Sequence, residues 1–269
     1  MTALSLAHLT ALDVAPPALF DLAAATGYQS VGIRILPAAP GAVAYALTPA
    51  TLATWRARAR DAGVGVYDVE FIPLTPDVQV EAYAPTLALA AELGAQRLNV
   101  SGDDTDFARL VDRFGVICDL AGQFGLVVDL EFMRFRVLAN LGQAVALVTK
   151  AGRANGKVLL DLLHFHRSGG TAEQLAATPG ELFGSVQLCD ARLADPGDAA
   201  IVAEAREGRL LPGEGELPLL DYLNALPLDI PMGVEVPTAA THPAWDAHER
   251  AQRASAAARA VLAARQPAR

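Results

Sequence analysis

The chain has 269 residues, 52% of them apolar and 19% charged, and 30 acids against 21 bases give a formal net charge of −9. That length and composition support a sizeable buried core and exclude disorder, and the acidic balance argues against a nucleic-acid backbone or an anionic membrane as the main partner. Cys118 and Cys189 stand in no metal-ligand or redox spacing and fit a reduced, cytoplasmic setting.

In chain order, the opening segment MTALSLAHLTALD has neither a basic start nor an unbroken apolar run, so no signal peptide is expected. A first strand is predicted over Leu4–His8 and a first helix over Pro17–Thr26. Further strands are expected over Ser30–Ile35, Val64–Phe71, Arg97–Ser101, Leu126–Phe132, Lys157–Leu162, Ser185–Cys189 and Met232–Val236. Helical patterns fall between them, among others at Ala50–Ala62, Ala82–Leu93 and Phe107–Phe124. Gly27, Gly63, Gly94 and Gly125 follow the last periodic residues, where a left-handed residue ends a helix. The 21 uncharged residues Ile35–Trp55 are broken by Pro37, Pro40, Gly41 and Pro49, so they read as a loop and a helix start, not a bilayer span. Ala191–Leu217 is the longest irregular stretch and reads as a lid or binding loop.

Short strands alternating with helices at this length predict an α/β fold, a single (β/α)8 TIM barrel domain over residues 1–269. An open doubly wound sheet is the rival, but no GxGxxG follows the first strand.

In such a barrel the site gathers at the C-terminal ends of the strands. The fifth strand, LVVDLEF, closes with Glu131; the sixth carries Asp161, with His164 three residues on; the seventh, SVQLCDA, has Gln187 and then Asp190; the eighth ends with Glu235. Any one of these acids alone reads as a cap or a surface ion pair. Together, Glu131, Asp161, Gln187 and Glu235 form an all-oxygen set that suits Mn²⁺ or Mg²⁺, with Co²⁺ or Zn²⁺ as further options, and a cation removes the repulsion between the carboxylates.

Other residues have a functional and a plain reading. His8 ends the first strand and either faces the mouth or is a satisfied barrel histidine. Arg34, ending the second strand, either holds a carboxylate or phosphate in bidentate fashion or pairs with a site acid. Glu70, on the third, is a second acid near the substrate or a hydrogen-bonding neighbour of the next strand. Arg206 and Arg209, in EAREGRLLPGEGEL, reach in to bind an anion or lie exposed on a loop. His166 and Arg167 belong to the rim. Arg134 and Arg136, in EFMRFR, read as loop cations, one of which could meet an anionic substrate group, and His242 and His248 are given no part in chemistry.

These residues resemble the xylose isomerase-like sugar isomerase/epimerase barrels, whose members carry Glu on the fifth strand, Asp followed by His on the sixth, His or Gln on the seventh and Glu on the eighth. The resemblance covers nearly the whole chain, from LSLAHLT to the closing helix, and is specific for fold and metal more than for reaction. It implies a divalent-metal isomerase or epimerase of a small sugar or polyhydroxylated keto compound, working by proton abstraction through an enediolate. Glu131 and Glu235 would be the acid/base pair, with His164 beside them; Arg34, Glu70, His8, Arg209 and Asp190 would contact substrate. Similar barrels keep a glutamate where Glu70 stands and an Arg followed by PG-x-G where Arg209, Gly213 and Gly215 stand, whereas Arg34 replaces an acid found in many relatives. Gln187 in place of histidine looks like the hydroxypyruvate isomerase and dehydroshikimate dehydratase branches. A dehydratase or lyase is therefore the alternative reaction, and a barrel that binds without catalysis is the alternative of another class. The endonuclease branch is set aside, because this chain has only five histidines, most of them off the expected positions, and no basic track. The implied partner is a small-molecule sugar or keto acid, with no nucleic acid and no membrane, and barrels of this kind are often homo-oligomers.

Overall fold

The structure, a computed structural model, describes residues 3–39 and 41–266. Pro40, one of the expected breakers, and the first two residues of the opening segment lie outside the described residues.

Strands β1 (Leu4–Leu6), β2 (Ser30–Arg34), β3 (Gly65–Leu74), β4 (Arg97–Gly102), β5 (Val127–Glu131), β6 (Gly156–Asp161), β7 (Phe183–Leu188) and β8 (Met232–Val234) lie side by side in chain order. All pair in parallel, and β8 closes on β1 through Leu4–Met232, Ser5–Gly233 and Leu6–Val234. Helices α1 (Pro16–Ala25), α2 (Pro49–Ala62), α3 (Ala84–Leu93), α4 (Phe107–Gly122), α5 (Leu141–Ala151), α6 (Leu162–Arg167), α7 (Ala172–Ala177), α8 (Ile201–Glu207), α9 (Leu219–Asn224) and α10 (Ala247–Ala263) surround them. This is a single (β/α)8 TIM barrel. No helix among the described residues is long and apolar enough to cross a membrane.

The predicted strands are all present, most with ends shifted by one to three residues: β3 runs on to Leu74 and β7 starts at Phe183, while β1 and β8 stop two residues short. His8 leaves the ladder to open a 3-10 turn, His8–Ala11, and Glu235 lies just past the end of β8. The four glycines expected to end helices all have positive φ. The stretch Ala191–Leu217 is less irregular than its composition suggests, since it contains α8 and an antiparallel bridge between Asp190 and Leu210.

Alternation along the strands divides the molecule into two environments. Leu98 and Val100 on β4, Val128 and Leu130 on β5, Val158 and Leu160 on β6, and Val186 and Leu188 on β7 are fully buried members of the apolar core. The residues between them turn the other way, into the bore, and are mostly polar: Asn99 and Ser101, Asp129 and Glu131, Asp161, Ser185 and Gln187. Most barrels fill that space with branched apolar side chains; this one fills it with paired charges and amides. Asp129 accepts from Arg97 Nη1 (2.9 Å) and from Ser185 Oγ two strands away (2.7 Å), while Asp68 takes a hydrogen bond from Asn99. Gly184 gives Asp129 its room, since a Cβ there would lie 2.0 Å from Asp129 Oδ1.

Burial, reinforced by the neighbouring Glu70, raises the Asp68 carboxyl well above the ordinary value. A raised carboxyl binds its proton more tightly folded than unfolded, so its ionisation erodes stability as pH rises above the ordinary range. Asp68→Asn keeps an acceptor for Asn99 and removes that charge. The stability of the variant relative to wild type, from urea unfolding at pH 4 and pH 8, is expected to be greater at pH 8; an equal difference at both would contradict this account.

Candidate functional site

A cavity of about 280 Å³ opens at the C-terminal ends of the strands. Glu131, His164, Gln187, Arg209 and Glu235 line one side, and Arg34, Glu70 and Asn99 another. The β1–α1 and β2–α2 loops add an apolar wall of Leu9, Leu12, Ala38, Ala39, Ala42 and Val43. Phe71, Met133, Phe135 and Arg136 also line the cavity, as do Ala205, Arg206 and Glu207 of α8.

Strand register explains the polar contacts. Arg34 and Glu70 are cross-strand partners, and Arg34 Nε donates to Glu70 Oε2 at 2.9 Å, with Nη2 on the same oxygen. Asp161 is the register partner of Gln187, and Gln187 that of Gly233, two residues before Glu235. Gln187 Nε2 donates to Glu235 Oε1 at 3.1 Å. Asp161 also caps α6, its Oδ1 accepting the His164 backbone N–H at 3.0 Å. This short helix sets the His164 ring beside Glu131, with Nε2 at 3.7 Å from Oε1, and Phe135 meets the ring edge-on.

Arg209 holds the acids together. Its side chain is 2% exposed, Nη1 binds Asp161 Oδ2 (2.5 Å) and Nη2 lies 3.0 Å from Glu235 Oε2. Nε donates to Ala205 O at the end of α8 (2.8 Å). The sequence suggests either a loop arginine reaching in to bind an anion or an exposed loop charge; the structure places the guanidinium in the cavity wall, buried and engaged by protein groups. Burial alone would raise Asp161, yet Arg209, aided by His164, holds its carboxyl below the ordinary value. Glu131 has no such contact, and burial with Glu235 and Asp161 nearby pushes it well above the usual range. Burial outweighs the effect of Arg209 at Glu235 and moves it up to about 7. Burial lowers His164 to about 4, with Asp161 opposing the shift and Arg209 and Arg136 adding to it.

The loop that carries Arg209 is organised by Asp190. Its Oδ1 accepts the backbone N–H groups of Ala191 and Leu217, and its Oδ2 those of Gly213 and Gly215, at 2.8–3.1 Å. Gly215 is required there, because a Cβ would lie 2.3 Å from Asp190 Oδ1. The glycines of PGEG thus wrap around a buried carboxylate, and Asp190 stands apart from the residues lining the cavity. Arg167 ties the same loop to α6, binding Glu204 through Nε (2.8 Å) and Nη2 (2.7 Å), and Arg134 binds Asp198 (2.7 Å) and Asp195. His8 has a comparable structural position. Its Nδ1 accepts the Arg34 N–H (2.9 Å), so Nε2 carries the proton and donates to Val14 O (3.0 Å). His166 bonds the Tyr222 hydroxyl and His242 stacks on Trp245, both away from the cavity.

The donor set fits a divalent cation. Glu131, Asp161 and His164 offer atoms within 4.8 Å of one another. Glu131 receives no hydrogen bond among the described residues, and Gln187 Oε1 is buried with no partner there. Two more buried acceptors on the cavity wall, Glu70 Oε1 and Asn99 Oδ1, also lack a donor among the described residues. Asn99 escapes a reading confined to strand ends, because it sits below them. The alternation of RLNVSG, with Leu98 and Val100 in the apolar shell, is the signal that turns it inward.

The chain belongs to the xylose isomerase-like TIM barrel family, whose model it matches over residues 20–262. It is similar to an inosose isomerase of Bacillus subtilis, 29% identical over 118 residues that make up 43% of this chain and 41% of that protein. The match thus spans less than half of the curated relative. Among solved structures it resembles the IOLI protein with a bound zinc atom (20% identity, 99% of both chains, TM-score 0.82). It also resembles a D-psicose 3-epimerase with D-fructose (19%, 97% of this chain and 99% of that one, 0.72) and the probable 3-DHS dehydratase AsbF of Bacillus anthracis (14%, 96% and 99%, 0.75). At these identities the likeness shows the fold.

Asp190→Ala leaves its backbone N–H partners without their charged acceptor, so a loss on the order of 3 kcal/mol is expected in urea unfolding. Proteolysis should then cut first within residues 191–217; a variant as stable and as resistant as wild type would show that the carboxylate does not hold the loop.

Proposed function

We propose that this barrel isomerises or epimerises a small sugar or polyhydroxylated keto compound by moving the proton on the carbon next to a carbonyl. The observation that carries this reading is the cavity itself: Glu131 and Glu235 line it together, and two buried acceptors on its wall, Glu70 Oε1 and Asn99 Oδ1, have no donor among the described residues. Buried acceptors without donors are satisfied by a ligand rich in hydroxyl groups. Family membership and a curated relative named as an inosose isomerase support the same class.

Glu131, Asp161, Gln187 and Glu235 are the residues that would hold a divalent metal, with His164 close enough to Glu131 and Asp161 to join or orient it. Mn²⁺ or Mg²⁺ suits the oxygen-rich set and Zn²⁺ or Co²⁺ is also compatible; such an ion supplies Lewis-acid polarisation of the substrate carbonyl. Either glutamate, once ionised, can take the α-proton and leave an enediolate. Returning the proton to the neighbouring carbon, with the matching shift of a hydroxyl proton, gives the isomer; returning it to the other face of the same carbon gives the epimer. Glu235 is oriented for this by Gln187 Nε2 at 3.1 Å and Arg209 Nη2 at 3.0 Å. Arg209 keeps Asp161 ionised throughout, and the apolar wall from Leu9 to Val43 limits water around the reacting carbons.

A dehydration is the second reading. It draws on the same pair of glutamates, since the one that has taken the α-proton can deliver it to a leaving β-hydroxyl, releasing water from the enediolate.

The test is solvent deuterium wash-in across a panel of ketohexoses, inososes and keto acids, with protein loaded with Mn²⁺ and its content checked by elemental analysis. Wild type is expected to incorporate deuterium without loss of water, and Glu131→Gln and Glu235→Gln to slow exchange by about two to four orders of magnitude. An unsaturated product points to the dehydratase, and metal-loaded protein that exchanges nothing overturns catalysis of this kind.

A further inference from the structure

Four arginines line the cavity, and they differ in what their guanidinium groups already hold. Arg209 is engaged at Nε, Nη1 and Nη2 by Ala205, Asp161 and Glu235. Arg34 directs its Nε and Nη2 edge onto Glu70 Oε2. Arg206 is exposed on α8. Arg136 is different: its side chain is 20% exposed and makes a single hydrogen bond among the described residues, from Nη1 to Asp103 Oδ2 at 2.8 Å.

That bond is well anchored. Asp103 Oδ2 also accepts from Ser101 Oγ at 2.7 Å, and the guanidinium carbon of Arg136 lies 5.7 Å from the centre of the Phe71 ring. Asp103 and Phe71 therefore fix the plane of the guanidinium from one end. The opposite edge, Nε with Nη2, has no acceptor, and Nε is buried without a partner among the described residues. This is the edge on which an arginine presents two parallel N–H groups at the spacing of two carboxylate oxygens. A buried N–H with no acceptor is costly, and Arg136 lines the cavity, from which an acceptor can come.

We propose that Arg136 recognises a carboxylate on the substrate, so that the compound turned over is a polyhydroxylated acid and not a neutral sugar. The proposal rests on the reading of this cavity as the active site. A phosphate is a poorer match: the open edge offers two N–H groups, Asp103 already takes Nη1, and among the described residues the only further cation on the cavity wall without a side-chain hydrogen bond is the exposed Arg206.

The experiment is calorimetric titration of the Mn²⁺-loaded protein with D-glucuronate, its neutral amide D-glucuronamide, and glucose 6-phosphate. Wild type is expected to bind glucuronate at least tenfold more tightly than the amide and more tightly than the phosphate. In Arg136→Gln the ratio of glucuronate to amide affinity should fall below about twofold, and Arg136→Lys, which keeps the charge without the fork, should retain part of it. A general loss of binding would lower both affinities and leave the ratio intact, and melting temperatures check that the variants fold. Equal binding of acid and amide by wild type, no binding of either, tighter binding of the phosphate, or a tenfold ratio that survives Arg136→Gln each overturns the proposal. Glu131→Ala separates it from the reading beneath it. If that variant weakens both probes while Arg136→Gln keeps the ratio, only the carboxylate assignment falls; if it leaves glucuronate binding intact, the ligand sits elsewhere and both fall.

Discussion

The arrangement of the site depends on one buried cation. Arg209 has almost no exposure, and a guanidinium removed from water without partners would be prohibitively unfavourable. Asp161 and Glu235 meet it at hydrogen-bonding distance, and in turn it allows two carboxylates to approach on neighbouring sides of one cavity. The ion pairing divides the acids into unequal partners. Asp161 is held ionised, whereas Glu131, beyond the reach of the guanidinium's hydrogen bonds, carries the repulsion of the others. The asymmetry leaves one carboxylate held ionised and two, Glu131 and Glu235, that hold their protons more tightly than usual.

The loop exists to deliver that arginine. Asp190, Gly213 and Gly215 shape it, Arg134 and Arg167 pin its outer part, and α8 supplies the carbonyl that receives Arg209 Nε. The bore of the barrel supports the same end from below. Its charged and amide side chains bond one another across strands, and a closed apolar shell of Val and Leu residues keeps water from competing with them.

Strand positions were legible because the outward residues are branched and apolar and the helices stop at glycines that adopt positive φ. The positions of Glu131, Asp161, Gln187 and Glu235 at strand ends were legible for the same reason, and Glu131, Gln187 and Glu235 line the cavity that opens there. What the sequence does not display is which groups bond one another across long separations. Asp190 looks like a strand-end acid, and only the tertiary path of residues 213–217 turns backbone N–H groups onto it. His8 likewise stands at a strand end, but the first turn after β1 and the backbone of Arg34 occupy both ring nitrogens. Arg209 reads as a loop cation that either reaches in for an anion or lies exposed, since nothing local announces that its side chain is buried against Asp161 and Glu235.

Closure of β8 on β1 has a consequence for how the molecule comes into being. Ser5 pairs with Gly233, and Thr10 accepts the Val236 N–H and donates to Val234 O, each contact joining residues more than 200 positions apart. During synthesis, strands β1 to β7 leave the ribosome before the strand that seals them, so the nascent sheet carries two open edges until the end. Glu235 arrives with that last strand, and Arg209 has only Asp161 to answer its charge until then. Completion of the active cavity and completion of the barrel are the same event, and a chain truncated before residue 232 would lose both together.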